Sequence, residues 1–270
     1  MKSLFAMALS ICSVSLFAAT LELDQLSKDD VKKVGNEFSS NFSHTTVAAP
    51  ETDGLWGVEV GVAGGTTSSP RLQQVVDDTG GNGSDFKTLY HAGLIGRVHV
   101  PFELFLEANI LPERTFSNVT VKNRSFGLGW NAGSYFNLPL DLAIGYNFSN
   151  ADMSFDQTIN NSSTGNTDVD ATIKVAGKSS ISWIGVSKTF LFFTPYFKAG
   201  LAKTDTDVSV DASGSASIFS FSSSQSQSTS SSGGYAALGA NLQFFFMRLG
   251  FEASQMIGVK SATAKLSIAF

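Results

Sequence analysis

Two different hydrophobic periods divide the chain. Over the first stretch the apolar positions are spaced as on a helix: Val31, Val34 and Phe38 recur at helical intervals behind Ser27. Ser27 has the chemistry of a helix N-cap, Asp30 lies three residues on, and Leu26 and Val31 suit a hydrophobic staple. This predicts one short amphipathic helix over about 27–38, followed by a polar linker through Asp53. The helix is expected to be periplasmic, either plugging a barrel or tethered against its mouth.

From Gly54 onward the period becomes two, the signature of strands with two unlike faces. Val58, Val60 and Val62 alternate with Glu59 and Gly61, and Leu94 and Val98 with Arg97 and His99. Leu104, Leu106 and Ile110 alternate with Phe105, Glu107 and Asn109. The pattern recurs around residues 126–136, 140–148, 169–183, 197–201, 236–244, 249–253 and 262–270, which makes ten strands. Short connections are expected near Pro101, Pro139, Pro195 and Phe246. Long ones are expected over 65–87, 111–118, 149–167 and 203–233. Hairpins with short turns at one end and long polar loops at the other describe an all-β, antiparallel transmembrane β-barrel. About ten strands fit the count best, with twelve as the alternative.

Composition explains what the less apolar face must see. Only 15% of residues are charged, while 43% are hydrophobic, with 25 Gly and 23 Phe. A soluble domain usually carries about 25% charged residues. A secreted β-sandwich would expose a charged face; here that face is rich in Gly, Asn and Ser, as a narrow lumen requires. No stretch of 18 consecutive apolar residues offers a transmembrane helix. A net charge of −5 without any Lys/Arg run argues against nucleic acid as a partner.

The first residues read as an address. Met1-Lys2, an apolar run over Leu4–Phe17 and small residues Ala18-Ala19-Thr20 have the layout of a signal peptide ending near residue 19. Leu9-Ser10-Ile11-Cys12 resembles a lipobox, but Ile11 stands where a small residue belongs. With the signal gone no cysteine remains. The expected division is therefore 1–19 signal, 20–53 helix and linker, and 54–270 barrel.

The final segment, Ala262 to Phe270, alternates apolar residues and ends on an aromatic. It resembles the closing strand of bacterial outer-membrane β-barrel proteins. The resemblance implies an outer-membrane location after export through the periplasm. It also implies a barrel-assembly signal carried by Leu266, Ile268 and Phe270 and read by the barrel-assembly machinery. Outer-membrane lipid and lipopolysaccharide follow as partners.

Counting along each strand from the short turns brings charged residues of the polar face to one height. Glu252, Lys265, Glu59, Arg97 and Glu107 follow one another around a closed wall with alternating sign, with Lys198 joining them. Opposite charges in a partly dehydrated lumen must pair, so this set predicts a ring of ion pairs. It either fills and stiffens a closed barrel or forms a constriction that selects a solute.

Asp77, Asp78, Asp85, Asp152, Asp156, Asp205, Asp207 and Asp211 predict an acidic outer rim, either simply solvated or bridged by a divalent cation to lipopolysaccharide phosphates. Residues 213–232 hold twelve Ser, although Val208, Val210, Ile218, Phe219 and Phe221 suggest strands that run past the membrane.

Catalytic chemistry has little to work with. His44 falls in the linker, and His91 and His99 stand roughly 26 Å apart on one strand. His91 near Ser69 or Ser84 is the one pairing with the elements of a nucleophilic site. No metal spacing or cofactor motif appears. The expected role is a non-enzymatic envelope protein with a nearly filled lumen and no cofactor. The alternatives are a narrow transporter for small or apolar solutes and a lipid-modifying enzyme.

Overall fold

A computed structural model of the chain describes residues 28–51, 57–78, 86–116, 119–133, 136, 138–161, 167–216 and 219–270. Helix α1 (Lys28–Asn41) is followed by β1 (Gly57–Ser68), α2 (Pro70–Asp78), β2 (Thr88–Val100), β3 (Leu104–Phe116) and β4 (Val119–Asn131). Then come β5 (Asp141–Asn161), β6 (Thr167–Ser187), β7 (Phe193–Ala216), β8 (Phe219–Phe244), β9 (Met247–Met256) and β10 (Val259–Ala269). Each strand pairs antiparallel with the next, and β1 pairs with β10 to close a ten-stranded barrel. Closure leaves no free edge inside the ring, which removes the usual liability of a long sheet. The signal region and Asp85 lie outside the described residues.

Alternation decides the two faces. Val58, Val60, Leu94, Leu106, Phe126, Leu128, Ile144, Tyr146 and Phe148 are exposed on the outside, while Glu59, Arg97, Glu107, Asn109, Ser125 and Asn147 are buried inside. β6 departs from the expected assignment. Its apolar odd-numbered positions turn inward, with Ile173, Ile181 and Trp183 buried, and Ile184 and Val186 face out. The lumen is therefore not lined by small residues alone. Its glycines leave room for the aromatic ring of the neighbouring strand, a pairing that fixes register as well as space. A Cβ on Gly129, Gly145 or Gly239 would stand 2.1, 2.4 or 2.3 Å from Phe105, Trp183 or Tyr196, its cross-strand partner.

The connections differ from expectation in three ways; first, the loops expected over 111–118, 149–167 and 203–233 are largely strand. β5 and β6 run 21 residues each, β7 24 and β8 26, against 10 to 13 for the other six. At about 3.3 Å per residue along strands tilted near 40°, this raises one side of the wall roughly 20–40 Å above the other. The Ser-rich stretch belongs to it, paired from Lys203↔Ser232 up to Ala216↔Phe219. Serine is compatible here because the ladder uses backbone groups only. Second, the expected loop after β1 holds α2. Third, the β6–β7 turn is Leu191-Phe192, closed by Phe193 N–H donating to Phe190 O at 2.9 Å, so Pro195 lies inside β7.

The end with the short turns is called the turn end below, and the opposite one the hairpin end. α1 runs slightly longer than 27–38, and it is not at the turn end. It sits inside the barrel, in its hairpin-side half. Amphipathicity alone could not choose between the two placements, since the buried face of α1 needs an apolar partner in either.

Candidate functional site

The site is the lumen and the arm that occupies it. From the turn end the arm rises through the barrel in the direction opposite to its sequence. Ser187 donates to Pro50 O at 2.9 Å, Arg97 Nη1 to Ala49 O at 2.8 Å, and Arg97 Nη2 to Glu51 O at 3.3 Å. Asn241, its amide oriented to satisfy both groups, donates to Val47 O at 2.9 Å and accepts from Ala49 N at 3.1 Å. Above them Thr46 donates to Glu107 Oε1 at 2.9 Å, Thr45 donates to Glu252 Oε1 at 3.2 Å, and Asn109 donates to Thr45 O at 2.7 Å. His44 joins Ser125 Oγ at 2.9 Å and Glu107 Oε2 at 3.3 Å.

The helix continues the climb. Asn41 donates to Tyr90 O at 3.1 Å and meets His91 Nδ1 at 3.1 Å; Ser39 pairs with Thr206 at 2.9 Å; Thr204 donates to Asn36 at 3.1 Å. Gly35 permits this approach: a Cβ there would lie 3.0 Å from Thr206 Cβ. Phe38 and Phe42 pack on each other, with ring centroids 5.0 Å apart, and join Ala151 in a small apolar cluster. At the hairpin end, Glu37 accepts the backbone N–H groups of Arg71 and Leu72 at 2.8 and 2.9 Å, and Asp30 binds the Arg71 guanidinium. Glu37 thus caps α2, a helix N-terminus being a natural carboxylate site. Burial pushes its carboxyl up, against the pull of these two amides.

All six charged residues expected in the lumen are buried on its wall. Lys265 Nζ meets Glu59 Oε1 at 2.6 Å, Arg97 Nε lies 3.5 Å from Glu107 Oε1, and Lys198 Nζ 3.6 Å from Glu252 Oε2. Two members were missed. Arg248, buried on β9, donates to Glu59 Oε2 at 3.1 Å, and His44 comes from the arm. Ser267 completes the Glu59 site at 2.6 Å, and Tyr196 donates to Glu252 Oε2 at 2.8 Å. The set is consequently a network that includes the arm, not a bare ring around an opening. Cations also cover aromatic faces: Arg97 lies 4.4 Å from the Phe105 centroid, and Lys198 5.1 Å from that of Trp183.

A cavity between Ser40, His44, His91, Tyr235, Glu252 and Thr263 is about the size of one water molecule. Around it the described lumen is occupied by buried residues of the arm, among them Ser39, Asn41, His44, Thr46 and Val47. The His91–Ser69 pairing does not form: His91 points into the lumen onto Asn41 and Thr263, while Ser69 donates to Phe86 O at 2.5 Å. Ser84 lies outside the described residues. No group of His, Cys, Asp or Glu among the described residues is arranged to hold a metal. The closing strand ends with Phe270, whose N–H donates to Val58 O at 2.8 Å and whose ring stands outside with Leu266 and Ile268.

Comparison with solved structures returns bacterial barrels. The attachment invasion locus protein Ail of Yersinia pestis, in complex with the heparin analogue sucrose octasulfate, is 11% identical with a TM-score of 0.30, over 80% of this chain and 97% of that one. The translocator domain of autotransporter NalP from Neisseria meningitidis is 10% identical with a TM-score of 0.40, over 82% and 89%. The outer membrane protease OmpT of Escherichia coli is 11% identical with a TM-score of 0.34, over 82% and 100%. No curated protein matches the sequence. Across residues 1–270 the chain matches, and belongs to, the family described as a family of unknown function (DUF6588).

Proposed function

We propose that this is an outer-membrane envelope protein whose lumen is sealed by its own N-terminal arm, and which holds a tall, one-sided β-wall outside the cell. The observation that carries the reading is the burial of residues 37–51 along the barrel interior, where Glu37, Ser39–Asn41, His44, Thr46 and Val47–Ala49 are each under 5% exposed.

The exterior supports the membrane setting. Counted from the turn end, the outward face stays apolar or small until Asn150 on β5, Lys178 on β6, Lys203 on β7 and Gln255 on β9. That is roughly nine residues, or about 23 Å for strands tilted near 40°, close to the apolar band of about 25 Å on such barrels. The turns extend the band. Phe102, Leu191 and Phe245 adopt φ of 71°, 56° and 53°, a region that favours glycine, and the last two are 95% and 96% exposed. A large apolar side chain in this backbone region costs about 1–2 kcal/mol and gains nothing from water. With Phe136 and Phe270 these tips surround the rim, as contact with lipid on all sides would require. Short turns face the periplasm in such barrels, and the export route and the reading of Leu266, Ile268 and Phe270 by the assembly machinery belong to the same proposal.

No catalytic constellation enters this reading. A narrow transporter is the second possibility. Thr45-Thr46-Val47-Ala48-Ala49-Pro50 is a slender extended segment held by hydrogen bonds, and a sliding arm would open a polar path. Planar-bilayer recording separates the two. A sealed barrel inserts without conductance steps at any applied voltage; reproducible openings of the intact chain would favour the transporter and contradict the sealed reading.

A further inference from the structure

The outward face changes character abruptly on one side of the barrel. On β4, β5, β6 and β7 the first charged or amide side chains above the apolar band are Arg124, Asn150, Lys178 and Lys203. They form one row: Arg124 pairs with Asn150, Asn150 with Lys178, and Lys203 with Ser180, one diagonal step from Lys178. Arg124, Lys178 and Lys203 are exposed. Directly below them lie the outward side chains of Phe126, Tyr146, Phe148 and Leu201. Of the acids of these strands, Asp205 is the direct cross-strand partner of Lys178, Asp152 stands one step above Asn150, and Asp207 lies beyond. Elsewhere the same boundary carries no such row: Gln255 on β9 stands beside a lone cation, Lys260 on β10, and β1 offers Thr66.

We propose that this row binds the phosphate groups of a glycolipid in the outer leaflet, whose acyl chains lie along the aromatic face beneath. The inference rests on the membrane reading above and adds a site and a ligand class to it. Diagonal and next-neighbour positions on adjacent strands lie about 7–10 Å apart, so one lipid carrying more than one phosphate reaches two or three of these cations. The guanidinium of Arg124 offers the planar fork suited to a phosphate, and the two lysines act as point charges. Asn150 and Ser180 add neutral polar groups on the same row. Lys203 is already 3.3 Å from Asp205, but this is an exposed pair of the kind worth little, and a doubly charged phosphate competes with it at the water boundary. A free phosphate would meet the cations without any use for the apolar face below; a lipid uses both.

The test is thermal unfolding of the purified barrel in neutral detergent, with added lipopolysaccharide, phosphatidylcholine or inorganic phosphate. Alongside the parent chain, the R124Q/K178Q/K203Q variant and a control, K174Q/K260Q, are measured. Lipopolysaccharide should raise the Tm of the parent and of the control by several degrees; the triple variant should lose most of that gain. Phosphatidylcholine should give little, and inorganic phosphate should neither raise Tm nor compete at millimolar levels. An equal gain in the triple variant overturns the site, and competition by inorganic phosphate overturns its assignment to lipid. Both lysines and the arginine face outward, so the variant keeps its lumen, and unchanged heat-modified mobility on gels verifies the fold. A parent that fails to enter bilayers would instead count against the membrane reading itself.

Discussion

Glu59 is the residue on which barrel closure and lumen chemistry meet. It stands on the first strand and collects Lys265 and Ser267 from the last and Arg248 from the one before. The seam between chain ends therefore carries a desolvated acid held by two cations. Removing one member of a buried set leaves a charge without compensation, at about 3–5 kcal/mol, while removing both members is often tolerated. Glu59→Ala should accordingly lower stability by about 3–5 kcal/mol in a urea titration of the refolded barrel, and adding Lys265→Met should restore a large part. Equal losses in single and double variants would show that the pairing contributes little. Glu59, Lys265, Arg97, Glu107, Lys198 and Glu252 were legible in the sequence because strand period and distance from the turns fix face and height. Arg248 was not, since it sits beside a turn whose boundary shifts by two residues. His44 was hidden because no periodicity says where a linker runs.

Among elements, the strands were readable and their upper ends were not. Alternating Val, Leu and Phe mark the part of each strand that faces an apolar surroundings, and this pattern stops where the apolar surroundings stop. Above that level serine, threonine and aspartate serve as well as any residue, so a strand in water looks like a loop. The β7–β8 hairpin is the clearest case. β7 has a partner on both sides, β6 as far as Ser215 and β8 as far as Phe219, whereas β8 has β9 beside it only from Tyr235 onward. Hydrogen exchange should therefore show slow amides at Lys203–Ser215, and a mixture of slow and fast amides along Phe219–Gly234, where one edge is open. Uniformly fast exchange over both segments would mean that the Ser-rich wall is not formed. The same reasoning explains α2, whose nine residues rely on Glu37 from the arm for their N-terminal amides; no local signal announces a cap supplied from 35 positions away.

At the scale of the whole molecule, the arm and the barrel form a single interior. Ten strands leave a lumen too narrow for an open pore yet too wide for wall side chains to fill. The chain meets that mismatch with its own segment: apolar rings at α1, hydrogen-bonding Thr, His and backbone groups at mid-height, and a slender Ala-Ala-Pro stretch among the aromatics at the turn end. Low charge content follows from this geometry, since the outside presents an apolar band and the inside faces protein. The sequence pattern reports which face of a strand is apolar, not what fills the space the strands enclose, so a periplasmic helix and a lumenal one read alike. The most direct test places one cysteine on each partner. Ser39 and Thr206 touch through their side-chain oxygens at 2.9 Å, and the chain has one native cysteine, Cys12, which C12S removes. Mild oxidation of cells carrying the S39C/T206C chain should give a disulfide-linked arm, seen as a shift in gel mobility that reductant reverses. Two freely alkylated thiols in a correctly folded barrel would contradict a lumen closed by its own arm.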